Sequence, residues 1–336
     1  MTRIATTWVA LTLLTMTPWL QTVFGETAPA TILEITTEKT VAYNTDVFDV
    51  SKFATNPNVT MPTAARNFRT HLRIGDIVAV NGRPAKGTHI ATVQAIELNT
   101  APTPGQAIAD TMARFSLSQT FQILQPDGTP IGSIMAYGLG AGTAPPGAPS
   151  AGLVGDFAIV GGTGAFLGVR GQHSFRPPGS SRDASVTEDP ANRRINGGGP
   201  GGRYVLTLVP MFRPEVVITP NGPAVLHSDF SPVTAAKPAR AGEVLITAAT
   251  GLGPTRPGVN PGQPFPAGPP FQEVNSPIDL TVNGKLAEVI NKIGWPGLVD
   301  TYRVDFRMPD GIAGGTAAIQ LTAAWIAGSP VTIPIQ

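Results

Sequence analysis

Four histidines are the residues of this sequence best suited to proton transfer or metal binding: His71, His89, His173 and His227. A neutral imidazole can accept a proton near neutral pH or ligate a metal ion. None of the four lies in the H-E-x-x-H spacing of a zinc site, and no serine lies in a G-x-S-x-G turn. The chain also lacks cysteine, which excludes thiolate ligands and disulfides. The sequence therefore predicts no metal site and leaves the catalytic residues unidentified.

Polar residues around a glycine-rich stretch are the candidates for ligand binding. Asp156 and Arg170 flank this stretch, and two interpretations stay open for them. They form a structural ion pair across a hairpin, or they place polar groups at the mouth of a cavity. Arg114, Tyr137 and His173 join the ligand-binding candidates if their strand faces point inward.

The glycine-rich stretch, residues 156–171, could open a nucleotide-binding domain or form a hairpin. Gly162, Gly164 and Gly168 give G-x-G-x-x-x-G, which is longer than the dinucleotide fingerprint G-x-G-x-x-G. Gly171 and the prolines at 177–178 leave no room for the helix that must follow such a loop. The nucleotide interpretation is therefore disfavoured.

The hairpin interpretation fits the same residues better. Gly161, Gly162 and Gly164 are predicted to supply positive φ for a tight turn, with Gly171 as a further structural glycine. Apolar residues precede and follow the turn, as the two strands of a hairpin require. We therefore expect strand, turn and strand, with no helix beginning near Ala165.

At this point the sequence resembles a known group of proteins. The run from Ile159 to Phe166, followed by Arg170 and Gly171, is similar to the central motif of the dirigent and allene oxide cyclase-like barrels. The resemblance implies an eight-stranded antiparallel β-barrel with a central cavity and no bound cofactor. It also implies a cavity that holds a reactive apolar intermediate and steers its ring closure or coupling. A homo-oligomer formed through the barrel is expected by the same analogy.

Composition agrees with an all-β chain. Of 336 residues, 38 are glycine, 34 are proline and only 13% are charged, which suits short strands joined by many turns. The formal net charge of +1 argues against general nucleic-acid binding, which needs a basic surface.

The clearest single strand is predicted at Thr111–Leu124. Apolar residues such as Phe115, Leu117 and Phe121 fall on one face, and polar residues such as Ser118 fall on the other. A period of two predicts one wall of an antiparallel barrel or sandwich. The period does not say whether the polar face lines the lumen or meets solvent. Asn-Gly pairs at 81–82 and 283–284, each between apolar runs, predict two further hairpins.

The first 25 residues are predicted to be a secretory signal. Arg3 precedes an apolar centre at Trp8–Leu14, and small residues follow near Gly25. We expect cleavage to leave no stable membrane span and to give a secreted protein, extracellular or periplasmic. The barrel is then predicted to occupy residues 26–210, followed by a linker at 211–222.

The second half, residues 223–336, is predicted to be a β-sandwich, because short apolar runs alternate with Gly and Pro turns. The segments Val225–Ala236, Val282–Val289 and Tyr302–Pro309 resemble the immunoglobulin-like C-terminal domain of uncharacterised secreted acidobacterial proteins. That resemblance implies an immunoglobulin-like architecture without the usual disulfide.

Three functions stay open for a chain with these features. The first is a non-catalytic exported protein whose barrel binds a small hydrophobic ligand, carried with an adhesion or spacer module. The second is the cofactor-free cyclase or stereochemical guide that the barrel resemblance implies. The third, a nucleotide-dependent oxidoreductase, lacks the helix it would need. Two or more ionisable groups converging in a barrel cavity would favour catalysis.

Overall fold

The computed structural model describes residues 30–44, 70–96, 114–140, 156–184, 189 and 191–336, which form two β-rich units. The predicted leader, residues 1–25, lies outside these ranges. Among the described residues, no helix is long and apolar enough to cross a membrane.

Eight strands build the first unit. They are β1 (Thr31–Asn44), β2 (Thr70–Val80), β3 (Lys86–Ile96), β4 (Arg114–Leu124), β5 (Pro130–Gly140), β6 (Asp156–Gly164), β7 (Arg170–Ser180) and β8 (Gly201–Val209). Each strand pairs antiparallel with the next, and β1 pairs with both β2 and β8, so the sheet closes on itself. The predicted eight-stranded antiparallel barrel is thus confirmed. Two-residue strands at Arg83–Pro84 and Arg182–Asp183 extend the sheet, and one π-helical turn spans Ala191–Ile195.

The glycine-rich stretch is the hairpin that joins β6 to β7. Residues 165–169 form the turn between two antiparallel strands, and no helix begins there. Gly164 has the predicted positive φ of 62°, but Gly161 and Gly162 do not, because both lie within β6. Gly162 is needed for close packing instead, since an added Cβ would lie 2.3 Å from the carbonyl oxygen of Phe166.

Gly171 also differs from its predicted role in the turn. It lies inside β7 with a φ of 144°, and an added Cβ would lie 1.9 Å from the carbonyl oxygen of Thr207 on β8. The positive φ of the turn's far side comes from Gly168, at 72°.

The two faces of β4 explain why this strand could be recognised. Leu117, Phe121 and Ile123 point into the barrel and are buried, whereas Ser118 and Gln122 are exposed on the outer wall. The apolar face therefore lines the lumen, which the alternation alone left open. One polar residue, Gln119, shares the inner face and is also buried.

The second unit is an eleven-stranded sheet that curls around its own core. Its longer strands are β9 (Val225–His227), β10 (Val244–Thr250), β11 (Ile278–Val282), β12 (Lys285–Gly294), β13 (Tyr302–Arg307), β14 (Gly315–Ala323) and β15 (Val331–Ile335). Its two-residue strands are Glu215–Val216, Thr255–Arg256, Glu273–Val274 and Ile326–Ala327, and a separate ribbon pairs Ile218–Thr219 with Gly222–Pro223. The predicted Asn-Gly hairpins are both present, with positive φ at Asn81 and Asn283. The all-β prediction for this half is confirmed.

A turn of the second unit closes one end of the barrel. Ala324 and Trp325 have φ of 48° and 64°, which folds the chain tightly back after β14. Ala324 and Ile326 are buried within the barrel's apolar core, and Trp325 packs against that core. The opposite barrel end is formed by the last residues of β1, β3 and β5 and by the first residues of β2, β4 and β6.

Candidate functional site

A chain of hydrogen-bonded polar side chains crosses the barrel lumen. The Tyr204 hydroxyl lies 3.2 Å from Nδ1 of His89, whose Nε2 lies 3.0 Å from Oε1 of Gln119. Nε2 of Gln119 in turn lies 3.0 Å from Nε2 of His173. These four residues, which we call the lumen chain, come from strands β8, β3, β4 and β7.

With the amide oxygen of Gln119 facing His89 and its nitrogen facing His173, hydrogen-bond chemistry sets the direction of the lumen chain. An amide nitrogen only donates, so Nε2 of His173 accepts and the proton of that neutral ring is on Nδ1. The amide oxygen of Gln119 only accepts, so Nε2 of His89 donates and its Nδ1 accepts from the Tyr204 hydroxyl. Nδ1 of His173 is therefore an N–H donor at the end of the chain. It is buried and makes no hydrogen bond of regular geometry among the described residues, although the backbone of Ser174 lies close enough to raise the pKa of the ring.

Aromatic rings surround the lumen chain and exclude water from it. Phe121 stacks on His89 with centroids 4.7 Å apart, and Phe157 stacks on His173 at the same distance. Phe121 also meets Tyr204 edge to face at 5.1 Å. Both imidazoles are 1% exposed, so the polar chain lies within an apolar shell.

Burial keeps the lumen chain uncharged. Desolvation lowers the pKa of His89 to about 4 and that of His173 to about 3, and it raises the pKa of the Tyr204 phenol. A hydrogen-bond contact with the backbone of Ser174 acts to raise the pKa of His173, but its effect is smaller than that of burial. Near neutral pH both imidazoles are therefore neutral and the phenol keeps its proton. This is the protonation state that the hydrogen-bond directions require.

One cation lies beside the lumen chain. Arg73 of β2 is in register with Ala91, which is in register with Gln119, so these three residues occupy one layer of the inner face. Burial lowers the pKa of Arg73, while the nearby Tyr204 and Asp183 act to raise it. Within the part of the chain that the structure describes, Nε of Arg73 has no hydrogen-bond partner.

Small side chains flank the middle of the lumen chain. Gln119 is in register with Ala91 on one side and with Ala136 on the other, and both alanines are buried. An eight-stranded barrel is just wide enough to be filled by side chains or to hold one small ligand.

Three of the five predicted site residues have side chains that the structure describes, and these three lie in different places. His173 is in the lumen chain. Tyr137 lies on the outer wall, 56% exposed, with its hydroxyl 3.1 Å from Oγ of Ser116. Arg170 is exposed at the start of β7 and donates from Nη1 to the carbonyl oxygen of Val169 at 3.0 Å.

Arg114 and Asp156 are described only through their backbone positions. Arg114 begins β4 and Asp156 begins β6, and their side chains lie outside the described part of the structure. In the ladder Asp156 is in register with Ser174 and Arg170 is in register with Val209. The Asp156–Arg170 ion pair stays a prediction.

Sequence reasoning missed Arg73, His89, Gln119 and Tyr204. A signal for Gln119 was present, because it is the polar interruption on the apolar face of β4. His89 and Tyr204 likewise alternate with the apolar residues of β3 and β8 and so share their inner faces.

Comparisons of the chain with known protein families, with curated protein sequences and with solved structures found no match. The closed barrel and its lumen chain are therefore the two features that bear on function.

Proposed function

We propose that the barrel binds one small, largely apolar molecule that carries a hydrogen-bond acceptor, and that it does so without catalysing a reaction. The observation that carries this proposal is the buried Nδ1–H of His173, which ends the lumen chain without a regularly placed acceptor among the described residues. An unpaired buried donor costs about 1–3 kcal/mol. A ligand oxygen that accepts from this group would recover that free energy.

The acid–base properties of the lumen chain favour binding over proton transfer. A general base works best when its pKa is near the working pH. The pKa values of about 4 and about 3 for His89 and His173 make both imidazoles weak bases at neutral pH. The raised pKa of Tyr204 makes it a weak acid. Neutral donors and acceptors in an apolar shell are suited to orienting a polar group of a ligand.

Native mass spectrometry of residues 26–336 tests this proposal with paired probes. A medium-chain methyl ketone and an aromatic ketone are each compared with the hydrocarbon of the same skeleton. We expect one ketone molecule per chain, retained at least tenfold more strongly than its hydrocarbon. Equal retention of both members of each pair, or of neither, would contradict the proposal.

A second function is favoured by the aromatic shell. Phe121, Phe157 and Tyr204 line the lumen beside His173, so an apolar intermediate could be held there in one orientation. This supports the stereochemical guide implied by the resemblance to dirigent and allene oxide cyclase-like barrels. Such a guide needs no proton transfer. It would give one enantiomer in excess from a spontaneous cyclisation, and a racemic product would exclude it.

We extend the proposal to the rest of the chain. The charged, apolar and small-residue pattern of residues 1–25 supports export, and the turn-rich strands of residues 223–336 support an immunoglobulin-like sandwich that acts as a spacer or adhesion module. Recovery of protein from the culture medium with a new N-terminus near residue 26 would support export. Intact protein retained inside the cell would argue against it.

A further inference from the structure

A polar cavity lies between the barrel and the second unit, away from the lumen. It has a volume of about 110 Å³ and lies between the turn that joins β4 to β5 and the strands at Thr255–Arg256 and Glu273–Val274. The Gln125 side chain closes this seam by donating from Nε2 to the carbonyl oxygen of Asn275. Two units thus contribute to one partly open polar space.

Four charged side chains line this seam cavity: Asp127, Arg256, Glu273 and Lys292. The ion pairs among the described residues all lie elsewhere, so none joins one of these carboxylates to one of these cations. This holds even though Arg256 and Glu273 are directly opposite each other in their ladder. Two positive and two negative groups therefore face the same space without neutralising each other by contact.

The local bonds hold these groups in position. Asp127 accepts from the backbone N–H and the hydroxyl of Thr129 at 2.8 Å and 3.0 Å, and these bonds lower the pKa of its carboxyl. Lys292 donates from Nζ to the carbonyl oxygen of Ser276 at 2.9 Å. That bond uses one of its three N–H donors. Burial lowers the pKa of Lys292, while Glu273 and Asp127 act to raise it.

A groove with exposed apolar side chains adjoins the seam cavity and shares Glu273 and Lys292 with it. The groove has a volume of about 670 Å³, and its walls include Phe271, Ile278 and Ile290. Phe271 is 44% exposed and Ile290 is 47% exposed, so large apolar side chains are accessible to solvent beside the charged groups.

We propose that the seam cavity binds the zwitterionic head of an α-amino acid whose apolar side chain lies in the adjoining groove. Arg256 and Lys292 would bind the carboxylate, and Asp127 and Glu273 would bind the ammonium group. A volume of 110 Å³ holds about four water molecules at ~30 Å³ each, which suits a head of this size. A simple anion or cation fits less well, because either would meet two like charges.

Isothermal titration calorimetry of residues 26–336 tests this with L-leucine as the probe. Three partial analogues accompany it: 4-methylpentanoate lacks the ammonium group, 3-methylbutylamine lacks the carboxylate, and glycine lacks the side chain. We expect leucine to bind and each analogue to bind at least tenfold more weakly. Absence of leucine binding, or equal binding of leucine and either singly charged analogue, would overturn the proposal.

Matched variants locate the site. Arg256→Gln and Glu273→Gln are each expected to weaken leucine binding at least tenfold. Arg307→Gln is the control, because Arg307 pairs with Glu288 on the same sheet, away from the cavity. Ile290→Ser is expected to reduce the affinity for leucine to that for glycine. Unchanged leucine binding in both Arg256→Gln and Glu273→Gln, with the fold verified by circular dichroism, would overturn the assignment.

Discussion

At the scale of single residues, Gln119 links the two halves of the lumen chain. Its amide hydrogen-bonds to both imidazoles, since its oxygen accepts from His89 and its nitrogen donates to His173. An amide can do both at once, whereas a carboxylate, which only accepts, would force one imidazole into another tautomer. Gln119 thereby sets which nitrogen of His173 carries the free N–H.

Replacing this amide is expected to destabilise the barrel. Gln119→Leu fills the same volume but leaves one nitrogen of each imidazole unpaired, and we expect a loss of about 2–4 kcal/mol in the free energy of unfolding. Urea denaturation measures this loss. Gln122→Leu, on the exposed face of the same strand, is the control and should change stability by less than about 0.5 kcal/mol. Similar losses in both variants would contradict the role assigned to Gln119.

The buried histidines also predict how stability depends on pH. The unfolded chain takes up their protons as the pH falls through the ordinary value of 6.5, whereas the folded chain resists until about pH 4 for His89 and about pH 3 for His173. The stability contributed by the neutral rings is therefore complete above pH 6.5 and is lost as the pH falls below it, by about 1.4 kcal/mol per pH unit for each histidine. The positive charge of Arg73 strengthens the preference of His89 for the neutral form, and the Tyr204 ring that faces His89 is itself uncharged.

Urea denaturation at pH 7, 6 and 5 checks this window. His173→Phe keeps an aromatic ring against Phe157 but removes one titrating group, so the fall in stability from pH 6.5 to pH 5 should be smaller than in the wild type. Tyr137→Phe, on the outer wall, should follow the wild-type curve. An identical pH dependence in His173→Phe and the wild type would show that His173 is not buried as a neutral ring.

At the scale of the elements, the glycines of the β6–β7 hairpin have two different structural roles. Gly164 and Gly168 supply positive φ at the turn, whereas Gly162 and Gly171 let backbone segments approach closely. The positive φ at a turn can be predicted from the sequence, because the turn itself requires glycine. The second role depends on a neighbour that is distant along the chain, Thr207 in the case of Gly171, and no local pattern reports it.

Two glycine variants separate these effects. Gly171→Ala would place a methyl group 1.9 Å from a backbone oxygen, which cannot rotate away as a side chain can. We therefore expect a loss of at least about 3 kcal/mol in the free energy of unfolding, or no folded protein. Gly82→Ala has a φ of 72° but nothing within 4 Å, so it should cost only about 1 kcal/mol. Thermal unfolding compares the two, and equal effects would contradict the close approach of β7 and β8.

The same distinction explains what could be predicted for the site. Alternation along β4 separated an apolar face from a polar face but left open which of them lines the lumen, and hairpin signals located several strand ends. The lumen chain joins four strands whose mutual positions depend on closure of the barrel. His173 was therefore recognised as a candidate by residue type, but its partners Gln119 and His89 were not.

At the scale of the whole molecule, the second unit completes the barrel. Ile326, which follows β14, is buried in the barrel's apolar core, and Arg83 of the barrel pairs with Asp279 of the second unit at 2.7 Å. Neither contact has a local sequence signal, since each joins segments far apart in the chain. The two units are therefore expected to stabilise each other.

Hydrogen exchange can detect this mutual stabilisation. Ile326→Ala removes three buried carbons and should cost about 2–5 kcal/mol, with faster exchange in the barrel turn at residues 164–169 as well as near the mutation. Ile290→Ala, at an exposed position of the second unit, is the control. Faster exchange confined to the second unit in Ile326→Ala would contradict the role of this turn as a barrel closure.

The most direct test of the proposed function is the imidazole ¹⁵N spectrum of His173 at neutral pH. We expect a neutral ring with its proton on Nδ1, and a downfield shift of that proton when a methyl ketone is added but not when the matching alkane is added. A ring protonated on Nε2, or a Nδ1 proton unaffected by every ketone tried, would contradict the claim that the lumen chain ends in a donor for a ligand.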